Sequence, residues 1–174
     1  MTELKQKSAR RAPTASSARV LPFPRLNGHP VPAKPGKRPP YRVNEQMGFL
    51  LRVAMQRHTA IFMANMVEDL TQPQFAALAK LLEVGPCTQN HLGRRICLDP
   101  ATVKGVVDRL RARGYVDIVK DPGDRRRHAV VLTDTGRRVT NAAVEVATKI
   151  TAKTAAPLTS AEERTMLRLL KKLG

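Results

Sequence analysis

Arg125, Arg126 and Arg127 stand side by side between Asp121-Pro-Gly-Asp124 and His128, in a chain whose lysines and arginines outnumber its acids by 31 to 14. A solvated loop needs only one or two charges. Three adjacent guanidinium groups instead offer fixed planar donors that suit phosphate oxygens or a narrow DNA groove. Just upstream, in DPATVKGVVDRLRARGYV, one face collects Ala101, Thr102, Gly105 and Arg109, with Lys104 and Asp108 beside them. Small residues on that face permit close approach, and its polar and basic groups suit base edges and phosphates. Together the two stretches read as a double-stranded DNA interface.

The elements around them can be read from local signals. Asp99 caps a helix with Pro100 at its first position, and Val103, Val106, Val107 and Leu110 recur at helical spacing as its buried face. Gly105 inside that helix costs about 1 kcal/mol relative to Ala, so close contact with a partner is its motive. Thr88 caps a shorter helix before it, with Leu92 and Ile96 inward, and the pair has helix-turn-helix geometry. After Gly114, Val116–Lys120 and Ala129–Thr133 have strand composition around a Pro-Gly turn, which puts the three arginines and His128 at a hairpin tip.

Upstream again, Thr71 and Gln74 form a capping box, with Phe75, Leu78, Ala79 and Leu82 as the core face and Gly85-Pro86 as the stop. Asn44 is placed to cap a first helix reaching about Val67. Its apolar stripe is Met47, Leu50, Leu51, Ala54, His58, Ile61 and Phe62, and Phe49, Val53, Met63 and Met66 lie off it. A helix apolar on more than one face packs against a second surface, here a symmetry mate. Thr133 caps a long helix to about Thr154 with a thin seam of Val139, Ala143, Val146 and Ile150. Thr159 and Glu162 open a last helix carrying Met166, Leu167, Leu170 and Leu173. The fold class is mainly α with a small β-wing.

The organisation that follows is a Pro-rich basic arm at 1–40, a dimerisation helix at 41–70, a DNA-binding lobe at 71–136 and dimerisation helices at 137–174. The arm holds eight of the thirteen prolines and a net charge of +8, leaving +9 for the remainder of a chain whose total is +17. Such a segment reads as disordered, either a solvated tail or a source of non-specific phosphate contacts. Arg10, Arg11 and Arg19 in it carry a weaker reading as a transit peptide.

The strong positive charge selects polyanions, nucleic acid or an anionic membrane surface. No apolar run reaches membrane-spanning length and no signal-peptide core is present, so a cytoplasmic protein working on the bacterial nucleoid is expected. Six aromatic side chains and no Trp disfavour a base-stacking single-strand platform. An enzyme finds no support: no phosphate-binding or dinucleotide fingerprint, no HExxH, four scattered histidines (His29, His58, His91, His128) and no zinc-ligand spacing. No cofactor or metal is expected.

Arg57-His58 in QRHTAIF leaves two readings open. His58 is a core histidine hydrogen-bonded within the protein, or it lines a pocket where, helped by Arg57, it meets a small carboxylate while Phe62 stacks on a ring. Cys87 and Cys97 carry a further alternative, a redox-sensing thiol near Arg94 and Arg95. An architectural DNA protein is the rival of another class, and the long flanking helices disfavour it.

LTQPQF at 70–75, DPATVKGVVDRLRARGYV and DPGDRRRHAVVLTDTG resemble the MarR family of winged-helix transcription regulators over residues 44–174. Cys97 departs from the pattern, standing where the family often has glycine. The resemblance implies a homodimer joined by its first and last helices, a palindromic operator and repression. It implies base or phosphate contacts by Thr102 and Lys104, a backbone contact by Arg109, minor-groove entry by Arg125 or Arg126, and wing orientation by Asp124. Within the family, QRHTAIFMANM and LTQPQFAAL are most similar to nicotinate-responsive regulators. That implies a small aromatic carboxylate effector, nicotinate or 6-hydroxynicotinate, at Arg57, His58 and Phe62, and control of nicotinate degradation genes.

Overall fold

The structure is a computed structural model that describes residues 40–120 and 128–173; the expected arm and the turn at 121–127 therefore lie outside the described residues, apart from Pro40. The described elements run α1 (Met47–Asn65), α2 (Gln72–Val84), α3 (Gln89–Arg95), α4 (Pro100–Ala112), β1 (Val116–Lys120), β2 (His128–Leu132), α5 (Asp134–Ala155) and α6 (Ser160–Leu170). The expected class is observed, helices with a single antiparallel hairpin in which Val116 faces Leu132 and Lys120 faces His128.

Local capping chemistry sets most of these boundaries. Thr71 and Gln74 exchange the two bonds of a capping box, as do Thr159 and Glu162 at α6. The Thr88 hydroxyl accepts from the His91 amide at α3, and that of Thr133 from Gly136 at α5. Each such cap contributes about 1 kcal/mol by satisfying an amide that the first helical turn leaves unpaired.

On α4, Val103, Val106, Val107 and Leu110 are all buried. They join Leu78 and Leu81 of α2, Leu92 of α3, Val116 and Val130 of the hairpin, and Ala143 and Ile150 of α5 in one apolar cluster. Burying an aliphatic side chain of this size contributes roughly 1.5–3 kcal/mol, so the four residues set the rotation of α4 and leave its opposite face exposed. The Cys87 backbone adds a one-residue bridge on the other side of β2, exchanging amide–carbonyl bonds of 3.3 and 2.9 Å with Val130. That bridge ties the segment before α3 to the wing.

Four local expectations are corrected. Asn44 does not cap α1; it lies within a 3-10 turn (Val43–Glu45), and α1 starts after Gln46, which provides no side-chain cap. The α1 stripe turns inward only at its C-terminal end: Phe62 is 3% exposed but Met47 is 65% exposed, because α5 covers only part of the helix. On α2 the fully buried positions are Gln74, Ala77, Leu78 and Leu81, with Phe75, Ala79 and Leu82 half-buried. Gln74 goes inward because its side chain closes the capping box. Finally, β2 begins at His128, so that residue pairs with Lys120 instead of belonging to the turn.

Candidate nucleic-acid interface and ligand cavity

Asp99 organises the start of α4. Its Oδ1 accepts from the amides of Ala101 and Thr102 at 3.0 and 2.9 Å, and its Oδ2 accepts from the Thr102 hydroxyl at 2.5 Å. These bonds hold the Asp99 carboxyl below the usual carboxylate range, the Thr102 hydroxyl contributing most. Thr102 is exposed, but its single hydroxyl proton is committed, so outwards it offers a lone pair and a methyl group. Lys104, two residues on, is also exposed and pairs with Asp108 at 2.6 Å. Arg109 is exposed as well, and its guanidinium lies over Gly105, where an added Cβ would meet it at 3.5 Å. All three are exposed on α4: Thr102 and Arg109, seven residues apart, share one flank of its solvent-facing surface, and Lys104 lies on the other. Asp124, Arg125, Arg126 and Arg127 fall in the turn outside the described residues; the strands that carry it are in place directly after α4.

The C-terminal end of α4 is fixed by contacts that no local signal announces. Gly114 (φ +71°) ends the helix, and its carbonyl accepts from the Thr133 hydroxyl at 2.7 Å. The Tyr115 carbonyl accepts from the Thr133 amide at 3.1 Å, and Gly136 packs so tightly on that carbonyl that a Cβ would overlap it. From the other side, Arg113 donates to the Glu68 carbonyl at 2.6 Å and lies 4.7 Å above the Tyr115 ring, while the Tyr115 hydroxyl donates to Glu68 Oε2 at 2.8 Å. Glu68 and Asp69 both have left-handed backbone, φ +55° and +47°. Each costs roughly 1–2 kcal/mol for a residue with a Cβ, so the corner between α1 and α2 keeps this shape because Arg113 and Tyr115 grip it.

The second candidate site lies where α1 crosses α5. His58 is half-buried, and its Nδ1 is 3.0 Å from the Thr154 hydroxyl. Its ring centroid is 6.3 Å from that of Phe62, which in turn lies 5.9 Å from Phe75 on α2. A cavity of about 280 Å³ opens beside them, lined by Met55, His58, Phe62, Gln72, Phe75 and residues of α5. A more apolar one of about 330 Å³ continues from His58 towards α6, where Leu158, Met166 and Leu170 face Met55. One ring nitrogen of His58 is thus bonded within the protein, and the ring also borders open space. Arg57 is not brought to either cavity. Its guanidinium donates to the carbonyls of Thr154 at 2.5 Å and Lys153 at 3.2 Å, tying α1 to the C-terminal end of α5. Gln72 and Thr151 are lining residues that no sequence pattern pointed to, and Phe75, read from the sequence as a core residue, also reaches the cavity; they arrive from α2 and α5 through packing.

The thiols divide. Cys87 is buried, and burial pushes its thiol up, with Arg95 opposing the shift to a smaller degree. That is the reverse of activation. Cys97 is exposed with φ +55°, so the position expected to prefer glycine does adopt the left-handed region. Among the described residues no group of three metal-ligating side chains converges, and no helix is long and apolar enough to cross a membrane.

Residues 70–128 match the sequence profile of the MarR family. The chain is 42% identical over 135 residues to the HTH-type transcriptional repressor NicR of Pseudomonas putida, covering 77% of this chain and 85% of that protein. The crystal structure of a probable transcriptional regulator from Pseudomonas aeruginosa is 44% identical and superposes with a TM-score of 0.74, over 76% of this chain and all of the other. BpsR of Bordetella bronchiseptica, whose structure addresses regulation of its DNA binding by 6-hydroxynicotinic acid, is 40% identical with a TM-score of 0.73, over 77% and 96% of the two chains.

Proposed function

The chain belongs to the MarR family of DNA-binding transcriptional regulators, and from that premise we propose that it is a homodimeric repressor of nicotinate degradation genes. It binds a palindromic operator and is released by nicotinate, 6-hydroxynicotinate or a related small aromatic carboxylate in the cavity beside His58. Thr102 and Lys104 on α4 meet base edges and nearby phosphates, Arg109 holds the DNA backbone, and the hairpin delivers Arg125, Arg126 and Arg127 to the adjacent groove. Asp124 orients that turn. The protein works in the cytoplasm on the nucleoid.

The observation that carries this reading is the cavity at the α1–α5 crossing. It combines a half-buried imidazole, two phenyl rings and about 280 Å³ of space, a size that suits a single substituted ring. Similarity to NicR, and to a BpsR structure concerned with 6-hydroxynicotinic acid, supports the ligand class. Of the rival readings, redox sensing loses Cys87 to burial. Phe62 forms the floor of the cavity. Arg57 acts at one remove, by fixing the end of α5 that carries Thr154.

Release requires the ligand to favour one arrangement of the dimer over another; equal affinity for both would change nothing. Fluorescence anisotropy on DNA from upstream of the protein's own gene tests the proposal. Tight, sequence-selective binding at physiological salt that 6-hydroxynicotinate weakens is the expected result. Binding that ignores millimolar ligand overturns the effector assignment, and loss of sequence selectivity overturns the operator.

A further inference from the structure

Building on the effector reading above, we propose that binding of the carboxylate takes up a proton from solvent, with Nε2 of His58 as the acceptor. The tautomer follows from the hydrogen bonds. The Thr154 hydroxyl donates its one proton to the Ile150 carbonyl at 2.9 Å, so His58 Nδ1, 3.0 Å from the same oxygen, is the donor of that pair. Nε2 makes no hydrogen bond among the described residues. In the neutral ring it is a bare lone pair, which repels a carboxylate oxygen instead of binding it.

No other cation among the described residues lines the site to take over the task. Among the described residues, neither cavity that His58 borders is lined by a lysine or an arginine. Arg57 is committed to the carbonyls of Thr154 and Lys153, and Lys153 Nζ donates to Asn65 Oδ1. On α2 the facing groups are Gln72 and Phe75, neither of which titrates. The one acid among the described residues on either lining is Glu163 of α6, whose charge opposes an anionic ligand. An unpaired carboxylate in such surroundings is costly. A proton bound at Nε2 removes the cost: the imidazolium then donates from Nδ1 to Thr154 and from Nε2 to the ligand. The proton comes from water or buffer, and no other bond forms or breaks.

The cavity therefore selects anions through a titrating group, and effector affinity rises as pH falls. Calorimetry of the full chain with 6-hydroxynicotinate at about pH 8 tests this in two buffers of different ionisation enthalpy, phosphate and Tris. The expected result is a binding enthalpy that differs between the buffers by the amount for about one proton per protomer, with the dissociation constant weakening up to about tenfold per pH unit above that. His58→Gln, which keeps an amide donor, flattens both dependences. Identical wild-type heats in the two buffers, with binding still measurable, overturn the proton uptake and leave the effector reading standing. Absence of any binding heat overturns both.

Discussion

At the residue scale, Asp99 decides what Thr102 can say to DNA. With its hydroxyl proton held by Asp99 Oδ2, Thr102 can accept from an adenine or cytosine amino group or touch a thymine methyl, but cannot donate to guanine. Thr102→Ala should alter preference at one base pair of each half-site by about 1–3 kcal/mol and leave the salt dependence unchanged. Lys104→Ala should weaken all sequences alike and lower the slope of log affinity against log salt by about one per protomer if Lys104 meets a phosphate. Competition binding with singly substituted operators, followed by a salt titration, separates the two. Cys97 makes a different prediction. With φ +55° and an exposed side chain, Cys97→Gly relieves the left-handed strain at the cost of some unfolded-chain entropy. It should raise stability by about 0.5–1 kcal/mol in urea melts. The departure was visible only through the resemblance to the family, which often has glycine at that position. The left-handed pair Glu68-Asp69 was not, since Glu rarely adopts that conformation and Asp does so only occasionally.

Elements were legible wherever a cap is local. Thr71 with Gln74, Thr88, Asp99, Thr133, and Thr159 with Glu162 each act within three residues, so the starts of five helices could be read off directly. What stayed hidden is what one element does to another: the Cys87–Val130 rung, Arg57 reaching α5, and the grip of Arg113 and Tyr115 on the α1–α2 corner. That grip joins the helix carrying His58 and Phe62 to the end of α4, and Gly136 closes it from α5. A double-mutant cycle of Glu68→Gln and Tyr115→Phe should give a coupling of about 0.5–1 kcal/mol, modest because Glu68 is half exposed. Burial, then the bond to Glu68, raises the Tyr115 phenol above its ordinary value, while Arg113 opposes the shift. A raised value means the folded state holds this proton more tightly than the unfolded chain does. The stabilisation is therefore complete below the ordinary phenol range and is lost as pH climbs through it. Tyr115→Phe should show a shallower loss of stability above about pH 10 in denaturant titrations. Gly136→Ala, which forces a Cβ onto the Tyr115 carbonyl, should cost about 3 kcal/mol and loosen the same joint.

At the scale of the molecule, α1 and α6 leave an apolar surface that a monomer would not maintain in water. Met47, Leu50, Leu51 and Met55 on α1 and Met166, Leu167, Leu169 and Leu170 on α6 are all exposed, with Leu173, 63% exposed, just beyond. Contiguous exposed patches of this kind mark association surfaces, and two-fold symmetry lets one patch cover its own copy. The operator argument needs the same symmetry, since two α4 helices must sit about one DNA turn, roughly 34–36 Å, apart to read a palindrome. Association and DNA recognition are therefore coupled. Leu170→Glu would bury a carboxylate in the interface at the dimer state while costing the exposed monomer little. In sedimentation velocity this variant should run as a monomer at micromolar concentrations where the wild type is a dimer, with circular dichroism unchanged. Its affinity for a full operator should fall to about that for a half-site, a loss of a hundredfold or more by the arithmetic of linked sites. A variant that sediments as a monomer yet binds the full operator at wild-type strength would show that the two α4 helices do not act as a pair.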